Sequence, residues 1–108
     1  MATITNEQLE TLVTMLQYNE EIIFDFMDEE AQAVLKTQLA QYIQSAASFI
    51  EREGITLDFT KIDDSMLTVM YASWLYDKRK DGVSIMPRML RYNLNNRLFA
   101  QKVAQNEE

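Results

Sequence analysis

Any chemistry in this chain must come from carboxylates, amines and hydroxyls, because it has no histidine and no cysteine. That excludes His-based triads, thiolate nucleophiles and ordinary zinc sites. The densest acidic cluster, DFMDEE at 25–30, lacks the alternating Asp/Asn spacing and central glycine of a calcium loop. It reads as an acidic helix start. Asp63 and Asp64 are adjacent and point apart on a helix, which makes them a poor acid/base pair and better candidates for a helix cap. Lys78 and Lys80 sit in the solvated run DKRKD, and Gly54 and Gly82 are the only glycines, so no phosphate-cradling loop can be written. The expectation is a protein with no catalytic residues, no cofactor and no metal.

Binding is better represented than catalysis, above all toward the C-terminus. Leu90, Leu94 and Leu98 form an i, i+4 ridge that Met86 continues, while Tyr92, Phe99 and Val103 form a second ridge roughly 160° around the helix. Arg88, Arg91 and Lys102 lie beside the second ridge. Two apolar ridges require two neighbours. Either the helix is wedged between two others, or Arg88, Arg91, Tyr92, Phe99 and Lys102 form a face that docks on a partner.

The elements that carry these residues are helices. With 108 residues, 47% apolar and 25% charged, the chain is most simply one globular domain, and two glycines with one proline are too few for a sandwich or barrel. Thr5 and Gln8 make a capping box and Ile4 and Leu9 a hydrophobic staple, opening a helix over about 6–17 with Leu9, Leu12, Val13 and Leu16 on one face. The stretch 18–27 reads as a connector that tucks its apolar residues under the next helix. Asp28 caps a long helix over about 29–53, whose Leu35, Leu39, Tyr42, Ile43, Phe49 and Ile50 share one stripe and whose Thr37, Gln41, Gln44, Ser45 and Ser48 make an uncharged polar face. Gly54 stops it, and an extended linker follows over 55–63.

The third helix, capped by Asp63 or Asp64, runs to about Lys80 with Gly82 as its stop. Nine of the eleven residues from Met66 to Tyr76 are apolar, aromatic or alanine, too short a run to span a bilayer, which takes about 20. A helix apolar all round is buried among its neighbours, so Met70 and Trp74 join Leu35, Leu39, Ile43, Ile50, Leu90 and Leu94 as expected core. The other reading has Tyr71, Leu75 or Tyr76 facing another subunit. A last helix is expected over about 85–104, with Ser84 as cap, Pro87 in the first turn and a frayed end. The fold class is an all-α bundle of about four helices.

Charge narrows the partners. The net charge is −7, yet residues 1–60 carry eleven acidic side chains against two basic ones, and residues 61–108 eight basic against six acidic. An acidic total weighs against tight phosphate-driven DNA binding, and the polarity suits head-to-tail assembly of copies. MATITNEQLE has no basic segment followed by an apolar one, so no signal peptide is expected.

The order of elements resembles a known family. A capped first helix, a long helix ending AQYIQSAASFIEREG, an extended linker, SMLTVMYASWLYDKR, and then MPRMLRYNLNNRLF are similar to the small head–tail connector (adaptor, head-completion) proteins of tailed bacteriophages and prophages. The most specific parts are the Trp-bearing helix that runs into Tyr76–Arg79 and the segment Arg88–Phe99. The resemblance implies a non-enzymatic, α-helical virion component that forms a ring, twelvefold like the portal, at the head–tail junction. It would be made in the host cytoplasm, dock on the portal protein and extend the DNA channel. It would also present a platform to a downstream head-completion or tail protein, with no membrane contact. A DNA conduit should not grip DNA, so the polar face of the second helix or the acidic first half would suit the lining. The linker is shorter than the loop some relatives carry. The alternatives are a small helical DNA-binding or regulatory interaction protein, and a DNA-mimicking inhibitor, against which the basic second half argues.

Overall fold

The computed structural model describes residues 4–82 and 85–106. Four helices in chain order, α1 (Asn6–Asn19), α2 (Glu29–Arg52), α3 (Ile62–Asp81) and α4 (Arg88–Asn106), make an all-α bundle without a strand among the described residues. It is elongated, 52 × 30 × 18 Å.

Local chemistry sets most helix ends. The Thr5 hydroxyl accepts from Gln8 N–H (3.1 Å) and the Gln8 side chain accepts from Thr5 N–H (3.0 Å), a complete capping box. Asp28 Oδ1 accepts from Ala31 N–H at 2.7 Å. Gly54 and Gly82 end α2 and α3 with positive φ, 100° and 73°, a backbone shape that costs glycine nothing. The end of α1 has no glycine. There Glu21 takes the left-handed conformation (φ 56°), and Ile22 N–H and Glu21 N–H close back on the carbonyls of Gln17 and Tyr18. This is a Schellman motif built on a glutamate, and it carries α1 two residues beyond the expected end.

α3 is the central element, packed against α1, α2 and α4. Leu12, Leu16, Leu39, Ile43, Ala46, Ile50, Leu67, Ala72, Leu90 and Leu94 are buried in one core, joined by Ile55 and Leu57 from the linker. Leu35, Met70 and Trp74, expected inside, are half-buried and pack on the rim of that core, as do Leu75 and Tyr76, whereas Tyr71 is buried. Trp74 lies edge-on to the Tyr71 ring at 5.5 Å with the Lys78 amine 5.3 Å from its own ring centre. Phe49, on the expected α2 stripe, lies at its exposed edge and stacks on Tyr71.

Neither Asp63 nor Asp64 caps α3. The helix starts earlier, at Ile62, and its N-cap, Lys61, makes no side-chain capping bond. Asp64 instead turns inward, 2% exposed. Its Oδ1 accepts from Arg97 Nε at 2.7 Å, and its Oδ2 accepts from Arg97 Nη2 at 3.1 Å and from Asp58 N–H at 2.8 Å. Arg97 Nη2 also donates to the Thr56 carbonyl at 2.7 Å. Gln101, one turn on, accepts from Thr56 N–H (2.7 Å) and donates to the Gly54 carbonyl (2.8 Å). α4 is thereby fastened to the α2–α3 linker and to the first turn of α3. It begins at Arg88 rather than at 85, because proline disfavours helical backbone at the residue before it, here Met86; the Pro87 carbonyl accepts from Arg91 N–H. Ser84, the expected cap, lies outside the described residues, as does the very end of the chain.

Removing one partner of a buried ion pair strands the other. Asp64→Ala or Arg97→Leu should each lower unfolding free energy by about 3 kcal/mol. Replacing both should cost less than the sum of the two, and denaturant titrations of the two single variants and the double variant would read this as a positive coupling.

Candidate functional site

α4 meets the bundle through one side only. Leu90 and Leu94 are buried against the core, and Leu98 reaches its edge, 3.6 Å from where a side chain on Gly54 would begin. The other ridge faces outward. Tyr92 is 61% exposed and Phe99 70%, with Met89 and Val103 exposed beside them. The two ridges thus have different surroundings, and no second helix covers the aromatic one.

The basic residues divide as well. Arg91, expected beside the docking face, is engaged within the chain: its Nη1 and Nη2 donate to Glu53 Oε1 (2.7 Å) and Oε2 (2.9 Å). That forked geometry holds the guanidinium charged, its pKa raised by the carboxylate. Arg88 and Lys102 are exposed and form no ion pair among the described residues. Arg97, which spacing alone did not single out, is the residue that positions α4. Its one sequence signal is that it is a lone cation one residue before the Leu98 end of the buried ridge.

A second exposed apolar surface lies on the α1–α2 connector. Phe26 is 94% exposed and Ile23 65%, so these two do not tuck under α2. Phe24, Ile22 and Met27 are half-buried. The carbonyls of Phe24 and Met27 accept from the Gln32 amide, and Lys36 covers the Phe24 ring. A connector pinned at Phe24 and Met27 has room to turn only some of its apolar side chains inward, and Phe26 between them points away.

Beside this connector Glu20 ends α1 with one carboxylate oxygen, Oε1, buried and unpartnered among the described residues. Burial, reinforced by the neighbouring Asp77 carboxyl, raises its pKa from 4.5 to about 7, against the opposing pull of the Ser73 hydroxyl and Lys80. Asn19 Nδ2 donates to the same Ser73 Oγ at 2.8 Å, which ties this end of α1 to α3.

No family model, curated protein or solved structure matches the chain. Among the described residues, no three acidic side chains converge as a metal site requires, and no helix is long and apolar enough to cross a membrane. Two of the exposed apolar surfaces differ in charge: the α4 ridge has Arg88 and Lys102 beside it, and the connector is acidic.

Two outcomes follow for the isolated protein. Leu94→Asp would bury an unpaired carboxylate at several kcal/mol and should unfold the domain, whereas Asp at both Tyr92 and Phe99 should leave helicity and the melting temperature almost unchanged; circular dichroism melts would compare them. Glu20 binds its proton more tightly folded than unfolded, so its contribution to stability is present below about pH 4.5 and is lost as pH rises toward about 7. Glu20→Gln should remove that loss, gaining on the order of 1 kcal/mol at neutral pH given its partial exposure. Parent and variant melts at about pH 5 and pH 7 would show the difference at the higher pH.

Proposed function

We propose that the chain is a non-enzymatic structural protein of a tailed phage or prophage virion, a head–tail connector that forms a ring under the portal. In that position it extends the DNA channel and gives the next head-completion or tail protein its docking platform. The observation that carries the reading is the outward ridge of α4. Tyr92 and Phe99 stand exposed beside Arg88 and Lys102, on a helix whose opposite side is already committed to the core. Aromatic and basic side chains together are the usual make-up of an interface hot spot. A ring needs two different surfaces per subunit, since its contacts are heterologous, and the connector with Phe26 offers the second.

DNA recognition by α4 is the weaker reading. Of its four basic residues, Arg91 and Arg97 are consumed by Glu53 and Asp64, which leaves too few for phosphate-driven affinity at −7 net charge. A conduit that lets DNA pass without holding it is in keeping with the uncharged Thr37, Gln41, Gln44 and Ser45 face of α2, which is exposed.

The test is capture. Portal-bearing, DNA-filled heads lacking their connector should pellet with the parent protein, and the Tyr92→Asp/Phe99→Asp double variant, folded as above, should stay in the supernatant. Parent protein that remains in the supernatant with such heads would overturn the reading. So would a low-salt gel shift showing tight binding to bare duplex.

A further inference from the structure

The two exposed apolar surfaces are complementary in charge and lie at opposite ends of the long helix. α2 runs from the connector to Gly54, about 36 Å at 1.5 Å per residue for its 24 residues. At its far end Gln101, two residues after Phe99, is bonded to the Gly54 carbonyl, and Arg91, next to Tyr92, is bonded to Glu53. The connector and the outer face of α4 therefore cannot meet within one chain. Residues 18–30 contain six acidic side chains and no basic one, while α4 contains no acidic side chain and keeps Arg88 and Lys102 exposed beside the aromatic ridge, its other two bases being paired with Glu53 and Asp64.

We infer that the connector of one copy, led by Phe26 and Ile23, docks on the outer face of α4 of the next copy, between Tyr92 and Phe99. This rests on the ring proposed above and names the partner of that face as a second copy of the chain. Charge selects the pairing. Connector against connector would set acids on acids, and α4 against α4 would set bases on bases. Only the mixed contact brings opposite charges together, and like charges across an interface are what suppress wrong pairings. A pair of copies then keeps one unused surface of each kind, so association proceeds head to tail until it closes. Phe26, the most exposed large apolar side chain described in the chain, fits as the anchor, since a lone aromatic entering an apolar face from the partner is the common form of a hot spot.

The absence of cysteine makes the contact directly readable. Asp25→Cys beside Phe26 and Asn96→Cys between Tyr92 and Phe99 are both at exposed positions and leave the anchor and the aromatic face intact, so each variant should fold as the parent does. The two, distinguished by mass, are mixed in equal amounts at high protein concentration and low salt and oxidised gently. The expected result is a mixed disulfide several-fold more abundant than the two homodimers together, where random pairing gives equal amounts, and the excess should fall as salt is added because the opposed charges are screened. A chain carrying both substitutions should give a ladder of species rather than a dimer. Homodimers of Asn96→Cys in excess, a mixed species no more abundant than random pairing gives, or no cross-link, would overturn the inference. No portal or head is present in this experiment, so its failure is separate from failure to be captured by heads.

Discussion

The placement of α4 depends on one buried ion pair. Asp64 and Arg97 are 33 residues apart, and their contact joins the first turn of α3, the linker before it and the middle of the last helix. Burying a carboxylate is costly unless an ion pair and hydrogen bonds compensate it. Here the Asp58 amide and two guanidinium N–H groups donate to it, and Asp64 also sits in the first turn of α3, where the helix dipole favours negative charge. Without this network α4 would be held to the bundle chiefly by Leu90, Leu94 and the exposed Arg91–Glu53 pair, and its rotation about its own axis would be less firmly set. With it, the aromatic ridge is turned outward.

That geometry explains why a helix with two apolar ridges is not over-designed. The leucine ridge answers to folding, and the aromatic ridge is left free for the docking proposed above. The connector shows the same division at smaller scale. Phe24 and Met27 supply carbonyls to Gln32 and shelter partly against α2, while Phe26 gains nothing from the fold that displays it. Exposing a phenylalanine to water is unfavourable by about 1.5–3 kcal/mol relative to burying it, a cost that the docking proposed above would offset.

Much of the fold was legible because its signals are local. The Thr5–Gln8 box, the Asp28 cap and the two stop glycines each act within a turn of the backbone, and the 3.6-residue period separates Leu90 and Leu94 from Tyr92 and Phe99 whatever else the chain does. The errors fall where a distant partner decides. Asp64 has the composition of a cap, and only the arrival of Arg97 from α4 turns it inward, so the start of α3 was misplaced. Arg91 looks like a surface cation until Glu53 is brought beside it. Glu21 ends α1 without glycine, a conformation that no residue type announces. An all-round apolar helix predicts Trp74 inside, but α3 is covered unevenly, and its indole sits at the rim.

Because the outer positions of α4 carry little of the folding free energy, they are also cheap to change. Substitution at Leu94 or Arg97 answers to the stability of the chain itself, and substitution at Tyr92 or Phe99, in the docking role proposed above, to the surface across from them. In that role the helix can be retargeted to a new counterpart through change on one side while the other stays still. The rate of change around the helix circumference would then trace the boundary between the two demands.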